Sequence, residues 1–169
     1  MIRPVNVDTD AKRIVDIYNN YILKTTVSFE TEPLTAEQMR KRIEQISAIY
    51  PYLVYEENGR VIGYAYVHMW KERVAYCHTV ETTIYIASDC IHKGAGSALM
   101  ARLISECRKK NYRMLIACVT GENLPSIEFH KKLGFNIVSH FHNVGNKLGR
   151  WLDVVDLELD ITKENQTEQ

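Results

Sequence analysis

Four cysteines, four prolines and eight glycines in 169 residues are too few for a disulfide scaffold, a collagen-like chain or a low-complexity one. The cysteines, Cys77, Cys90, Cys107 and Cys118, stand too far apart for a CxxC pair or a zinc-finger spacing, so free thiols in a reducing compartment are expected. An excess of either charge is also missing. The 21 Lys and Arg balance 21 Asp and Glu, which argues against nucleic acid as a partner, since that needs a basic surface. No apolar run approaches the ~18–20 residues that span a bilayer. The opening residues Met1-Ile2-Arg3-Pro4-Val5-Asn6-Val7-Asp8 contain no signal-peptide core. A cytoplasmic protein without a membrane partner is expected. What the chain does contain, 46% hydrophobic and 25% charged residues, is the balance of a single globular domain.

Hydrophobic periodicity orders that domain. Residues 2–5 read as a short strand. Asp8 is the expected N-cap of a helix over 9–23, in which Ala11, Ile14, Val15, Tyr18 and Ile22 recur at helical spacing. Thr25 to Pro33 reads as a loop. Thr35-Ala36-Glu37-Gln38 is a capping box that opens a second helix through about Ile49. Tyr52–Glu56 and Val61–Met69 read as strands joined by an Asn58-Gly59 hairpin turn, and Thr79–Ala87 as a third. A long amphipathic helix to Lys110 follows, then a buried strand over 113–119, a short helix over 124–133 stopped by Gly134, and two final strands over 135–144 and 151–161. The order β-α-α-β-β-β-α-β-α-β-β describes one mixed α/β domain over 1–161, with a polar tail at 162–169. The strands on either side of the long helix should be parallel, because a helical crossover joins them.

Ile91-His92-Lys93-Gly94-Ala95-Gly96-Ser97 lies where a strand runs into that helix. Glycines there let backbone amides approach an anion, and the helix adds free N–H groups and its positive dipole end. A turn that merely closes the βα corner is the alternative. The P-loop order GxxxxGK[ST] is absent, and Leu99 takes the third glycine position of a dinucleotide fingerprint. In Thr79-Val80-Glu81-Thr82-Thr83-Ile84-Tyr85-Ile86 side chains alternate faces, so Glu81, Thr83 and Tyr85 share one face. Glu81 is then the one carboxylate on a strand otherwise suited to burial. It is either a general base or a partly exposed charge at a strand end. His140 and His142 share one strand face, but two ligands do not make a metal site, so no metal is expected.

The loop resembles the acyl-CoA signature [RQ]-x-x-G-x-[GA] of the GCN5-related N-acetyltransferases. Asn123-Leu124-Pro125-Ser126-Ile127-Glu128-Phe129-His130-Lys131-Lys132-Leu133-Gly134-Phe135 is similar to that family's second cofactor segment. Tyr18-Asn19-Asn20-Tyr21, Thr26-Val27-Ser28-Phe29-Glu30, Gly63-Tyr64-Ala65-Tyr66, Trp70-Lys71-Glu72-Arg73, Thr79-Val80-Glu81 and Gly149-Arg150-Trp151-Leu152-Asp153 resemble its phosphinothricin acetyltransferase-like branch, over residues 2–160. Two departures stand out: Ile91 replaces the usual Arg or Gln, and Asn146 and Leu148 stand where that branch often has aromatics.

The resemblance implies a mixed central sheet with helices on both faces and two parallel strands splayed by acetyl-CoA. It implies acetyl transfer to the amino group of a small amino-acid-like molecule of the phosphinothricin or methionine sulfoximine type. Acetylation of a peptide N-terminus, a lysine or a polyamine, or acyl-CoA binding without catalysis, are the alternatives. It further implies that Glu81 is the general base, and that the pantetheine pairs with backbone at Ile84, Tyr85 and Ile86, where an amide can stabilise an oxyanion. The pyrophosphate would be held by His92, Lys93, Gly94, Ala95, Gly96 and Ser97, with Asn123 on the pantetheine arm and Lys132 near the nucleotide. His130 stands where many relatives carry a tyrosine acid; it either protonates the departing thiolate or packs on CoA. Lys71 and Arg73 are candidates for the acceptor's anionic group. Trp70, Val74, Ala75, Tyr76 and Phe29 are candidate walls, with Glu30 facing the ammonium. A homodimer is implied, with the final strands and Gly149-Arg150-Trp151 as the contact.

Overall fold

The computed structural model describes residues 1–91 and 94–162; His92, Lys93 and the tail from 163 onward lie outside the described residues. The first strand, β1 (Ile2–Pro4), leads directly into α1 (Val7–Lys24). The cap is Asn6 rather than Asp8: the Asn6 side chain accepts from the N–H groups of Asp8 and Thr9 at 3.0 and 3.2 Å. Asp8 and Asp10 instead fall in the first turn, where carboxylates favour the helix dipole. Asp10 is buried, accepts the Asn6 N–H at 2.7 Å and pairs with Arg3 at 2.7 and 3.0 Å. Burial alone would raise the Asp10 pKa; the hydrogen bonds from Arg3 and Asn6 outweigh it and hold the carboxyl below its ordinary value. The capping box at Thr35 forms as read, opening α2 (Ala36–Ser47).

The hairpin of β2 (Tyr52–Glu57) and β3 (Arg60–Met69) turns on Asn58 and Gly59, both at positive φ, 51° and 73°. β4 (Thr79–Ile86), α3 (Ala95–Lys109), β5 (Met114–Thr120), α4 (Leu124–Lys132), β6 (Asn136–Lys147) and β7 (Arg150–Asp160) complete the chain. The expected element order is therefore observed. The last hairpin is longer than expected. Leu148 and Gly149 at φ 52° and 71° make a two-residue turn, so the stretch between 144 and 151 is strand rather than loop. Just before that stretch β6 carries a bulge, because β6–β7 pairing lapses between Phe141↔Val154 and Gly145↔Leu152.

One seven-stranded sheet results, in the order β1-β2-β3-β4-β5-β7-β6. Among the described residues its only parallel pair is β4–β5, as the crossover helix demands. One face packs on α3 and α4 through residues such as Leu99, Leu103, Leu115, Ile127 and Leu157. The other packs on α1 and α2 through Ile14, Ile17, Ile43, Val54 and Tyr64. Each half is closed by aliphatic side chains at helical spacing from above and strand alternation from below. The site depends on one irregularity in this sheet. The β4–β5 ladder holds only Thr79↔Met114, Val80↔Leu115 and Glu81↔Ile116, although both strands run on beyond it.

Candidate active site

Where the ladder stops, the two strands part. The Thr82 hydroxyl donates to the Ile116 carbonyl at 3.2 Å, standing in for a backbone rung. Beyond it opens a cleft of about 480 Å³, lined from β4 by Glu81, Thr82, Thr83, Ile84 and Tyr85 and from β5 by Ala117, Cys118, Val119 and Thr120. Its remaining walls include Tyr18, Ser28, Phe29, Glu30, Asn123 and His130. The structure thus brings together residues that the sequence holds far apart: Phe29, Glu30, Glu81, Ile84, Tyr85, Asn123 and His130. Ile86 stands beyond the cleft lining, and its carbonyl already accepts the Tyr21 hydroxyl at 2.6 Å.

Glu81 occupies the last paired rung, with its side chain 28% exposed. Burial raises its pKa above the ordinary carboxylate value. His68, directly opposite on β3 with Nε2 3.8 Å from Glu81 Oε1, pulls it back down when charged, and Asp156 pushes it up. The His68 ring is oriented by Nδ1, which donates to the Met69 carbonyl at 2.9 Å. Cys118 also lines the cleft; although the residue is exposed, partial desolvation between the strands first, then the carboxylates of Glu81 and Asp156, push its thiol up to about 12. A thiol so held stays protonated and is a poor nucleophile. His130 is buried on α4, its Nδ1–H donating to the Ser126 carbonyl at 2.8 Å. Burial lowers its pKa despite that hydrogen bond, which keeps the ring neutral with Nε2 as an acceptor.

The glycines at the start of α3 divide their labour. Gly94 is the N-cap at φ 79°, with nothing among the described residues within 4 Å of where a Cβ would point. Gly96 is covered: a Cβ there would sit 3.4 Å from the Phe129 ring, so its bareness serves the packing of α3 on α4. Ala95 is buried and Ser97 exposed. A helix N-terminus capped by a bare glycine, beside a broken ladder, fits an anionic, extended ligand with amides of its own. Asn123 also caps α4, its Oδ1 accepting the Ser126 N–H at 3.3 Å. Lys132, at the exposed end of α4, is outside the cleft lining.

The Trp70–Tyr76 segment is not part of the cleft. It forms the connection from β3 to β4, with Arg73, Val74 and Ala75 exposed. Trp70 and Tyr76 pack edge to face at 5.2 Å, and the Lys71 ammonium sits 4.0 Å from the Trp70 ring centroid, so that charge is spent on aromatic faces. Arg73 makes no ion pair among the described residues.

The loop over 25–33 forms a wall of the cleft, held by contacts that sequence patterning does not reveal. The Phe29 ring fills the space a side chain at Gly145 would need. The Lys147 ammonium is buried and donates to the Ser28 carbonyl. Glu30 accepts from Arg42 at 2.7 Å through Oε1, while its Oε2 is buried without a hydrogen-bond partner among the described residues. The bulged hairpin gathers a further group. His140 and His142 both contact Asp153, giving the histidine pair a third neighbour supplied by β7.

An acetyltransferase (GNAT) domain model matches residues 3–155. The chain is 34% identical over 158 residues to the L-amino acid N-acyltransferase MnaT of Escherichia coli, covering 93% of this chain and 92% of that protein. It is 39% identical over 150 residues to a phosphinothricin N-acetyltransferase of Alcaligenes faecalis, covering 88% and 76%. The solved structure of a GNAT superfamily phosphinothricin acetyltransferase from Sinorhizobium meliloti, in complex with acetyl-CoA, superposes at a TM-score of 0.90 with 33% identity, covering 95% of this chain and 87% of that one.

Proposed function

The chain belongs to the GNAT acetyltransferase family, and from that premise we propose that it acetylates the amino group of a small amino-acid-like molecule in the split between β4 and β5, with Glu81 as general base. Acetyl-CoA is the co-substrate. When bound, it supplies an activated acyl group and a thiolate leaving group. The single observation that carries the reading is the interrupted ladder: backbone from Thr82 onward has no strand partner on the β5 side, and the one partly buried carboxylate of that edge stands at the break.

The chain's own residues then have separable tasks. The open amides at Gly94 and the α3 N-terminus receive the pyrophosphate, and the unpaired edge at Ile84 and Tyr85 aligns the pantetheine. Glu81 takes the ammonium proton directly or through one water, and its raised pKa brings its basicity nearer that of the amine it serves. His68 holds a second proton-accepting ring against Glu81. Transfer is direct, because the cleft's cysteine is held as an unreactive thiol. His130, neutral and bound to Ser126, shapes the wall instead of donating a proton. Phe29 and Glu30 form the acceptor's side of the cleft, with the Glu30 carboxylate as the charge nearest its ammonium.

The reading extends to a homodimer in the cytoplasm. β6 is an edge strand, and Phe141, Val144, Leu148 and Trp151 of the last hairpin are exposed. Solvated edges of this kind are normally covered or charged. Cys77 is an exposed free thiol, which suits a reducing compartment, and no helix among the described residues is long and apolar enough to cross a membrane.

The test is thiol release from acetyl-CoA across phosphinothricin, methionine sulfoximine, single amino acids, polyamines and peptides, with product masses measured. Turnover concentrated on free amino-acid-like amines is expected. Preference for a peptide N-terminus or lysine side chain, or acetyl-CoA binding with no turnover on any amine, would overturn the assignment.

A further inference from the structure

Away from the cleft, we propose that His140, His142 and Asp153 form a binding site for a divalent transition-metal ion of the zinc type, clamping β6 to β7 across the bulge. The sequence supplies two imidazoles on one strand face, and the fold adds a carboxylate from the neighbouring strand. Three ligand atoms, one from each residue, lie within 4.8 Å of one another. His140 Nε2 is 2.8 Å and His142 Nδ1 3.1 Å from the same Asp153 oxygen. Nitrogen and oxygen ligands at ~2.0–2.1 Å from a tetrahedral zinc stand a little over 3 Å apart, so small rotations of three side chains open the space for the ion. Two imidazoles and one carboxylate suit zinc, nickel or copper rather than calcium or magnesium, which prefer all-oxygen shells.

Two features make this more than a chance cluster of polar groups. The second Asp153 oxygen accepts the Asn143 backbone N–H at 2.9 Å, which orients the carboxylate as a second shell orients a ligand. The residues also meet at the wider of the two irregularities in the β6–β7 ladder, between Phe141 and Gly145, with Asn143 at φ 52°. That bulge turns His142 toward Asp153, and an ion there replaces the missing rungs. The fourth position faces solvent, since the His140 and His142 side chains are 48% and 72% exposed. The ligands all come from one chain. None of them lines the cleft, so the site does not depend on the acetyl-transfer reading.

The experiment is calorimetric titration of the full chain, freed of metal by chelator, with zinc chloride and separately with nickel chloride. One ion per chain is expected, with affinity falling about tenfold or more in His142→Ala and in His140→Ala. Zinc should raise the melting temperature of the wild-type chain but not of His142→Ala, and the Ala variant should keep wild-type acetyltransferase activity. His142 is exposed, so its loss leaves the fold intact even if Asp153→Asn, which disturbs the Asn143 contact, does not. Binding unchanged in both histidine variants, binding lost instead in Cys77→Ser, or no saturable binding would each overturn the proposal.

Discussion

Replacing Glu81 by Gln keeps the volume and hydrogen-bonding reach of the side chain and removes only its basicity. General-base assistance contributes about 10²–10⁴-fold, or ~2.7–5.4 kcal/mol of barrier. Glu81 is 28% exposed, so water can reach the acceptor amine and replace part of the function; the lower end, about 10²-fold at pH 7, is expected. The deficit should shrink as pH rises. The acceptor amine is mostly protonated at pH 7, and its neutral share grows as pH rises toward its pKa, leaving less for a base to do. In the wild type, the acidic limb of the rate profile should lie above the ordinary carboxylate range, because burial raises the Glu81 pKa. Stability discriminates a catalytic from a structural carboxylate. A carboxyl whose folded pKa is raised binds protons more tightly folded than unfolded, so its ionisation costs stability as pH climbs past the unfolded value. The Gln variant should therefore melt no lower than wild type at pH 7 and bind acetyl-CoA equally well. The assay is single-turnover thiol release, where chemistry is isolated from product release, alongside calorimetric acetyl-CoA affinity. Full single-turnover activity at pH 7 in Glu81→Gln would refute the reasoning and leave deprotonation to water or to another group.

Gly94→Val should weaken acetyl-CoA binding about tenfold or more without a clash against the described residues, because the cost is a β-branched residue forced to φ 79° and a methyl in the anion's path; calorimetry checks it, and unchanged affinity removes the cradle. Asp10→Asn should cost about 2 kcal/mol, since it leaves the partly exposed Arg3 without its buried partner, lowering the melting temperature by ~5 °C in a chain of this size. Because the folded Asp10 pKa lies below the unfolded one, that stability is fully present above about pH 4 and lost as pH falls through the folded value, so the wild-type and Asn melting curves should converge in acid. Trp151→Asp should convert a dimer to monomers in sedimentation at micromolar concentration; a wild type that already sediments as a monomer rejects the dimer.

The fold was legible because its elements announce themselves locally. A capping box at Thr35, an Asn58-Gly59 turn, alternating apolar residues in the strands and a glycine-initiated α3 each need only a few neighbouring residues to be recognised. Errors fell where two local signals compete or where the deciding partner is remote. Asn6 and Asp8 are both good caps, and Asp10's engagement by Arg3 and Asn6 tips the choice. The length of the last hairpin rests on Leu148 accepting positive φ, which its residue type does not advertise. For the site, Glu81, Ile84, Tyr85, Asn123 and His130 converge on the cleft, whereas the Trp70–Tyr76 segment, chosen for its aromatic and basic content, folds largely on itself. His68 and Lys147 carried no signal, and Asp153 stood only as the end of the Gly149–Asp153 motif: each matters through a partner 13, 119 or 10–13 residues away, and only register reveals it.

Joined by three rungs between β4 and β5, the sheet is mechanically two plates, one of four strands and one of three, sharing a short seam. A ligand laid along the seam acts as mortar between them. Without it, amide hydrogens of the β5-β7-β6 plate can exchange through opening at the seam while the β1–β4 plate stays closed, so two protection classes coexist. With acetyl-CoA bound, the plates should lock into one cooperative unit and the two exchange classes should merge.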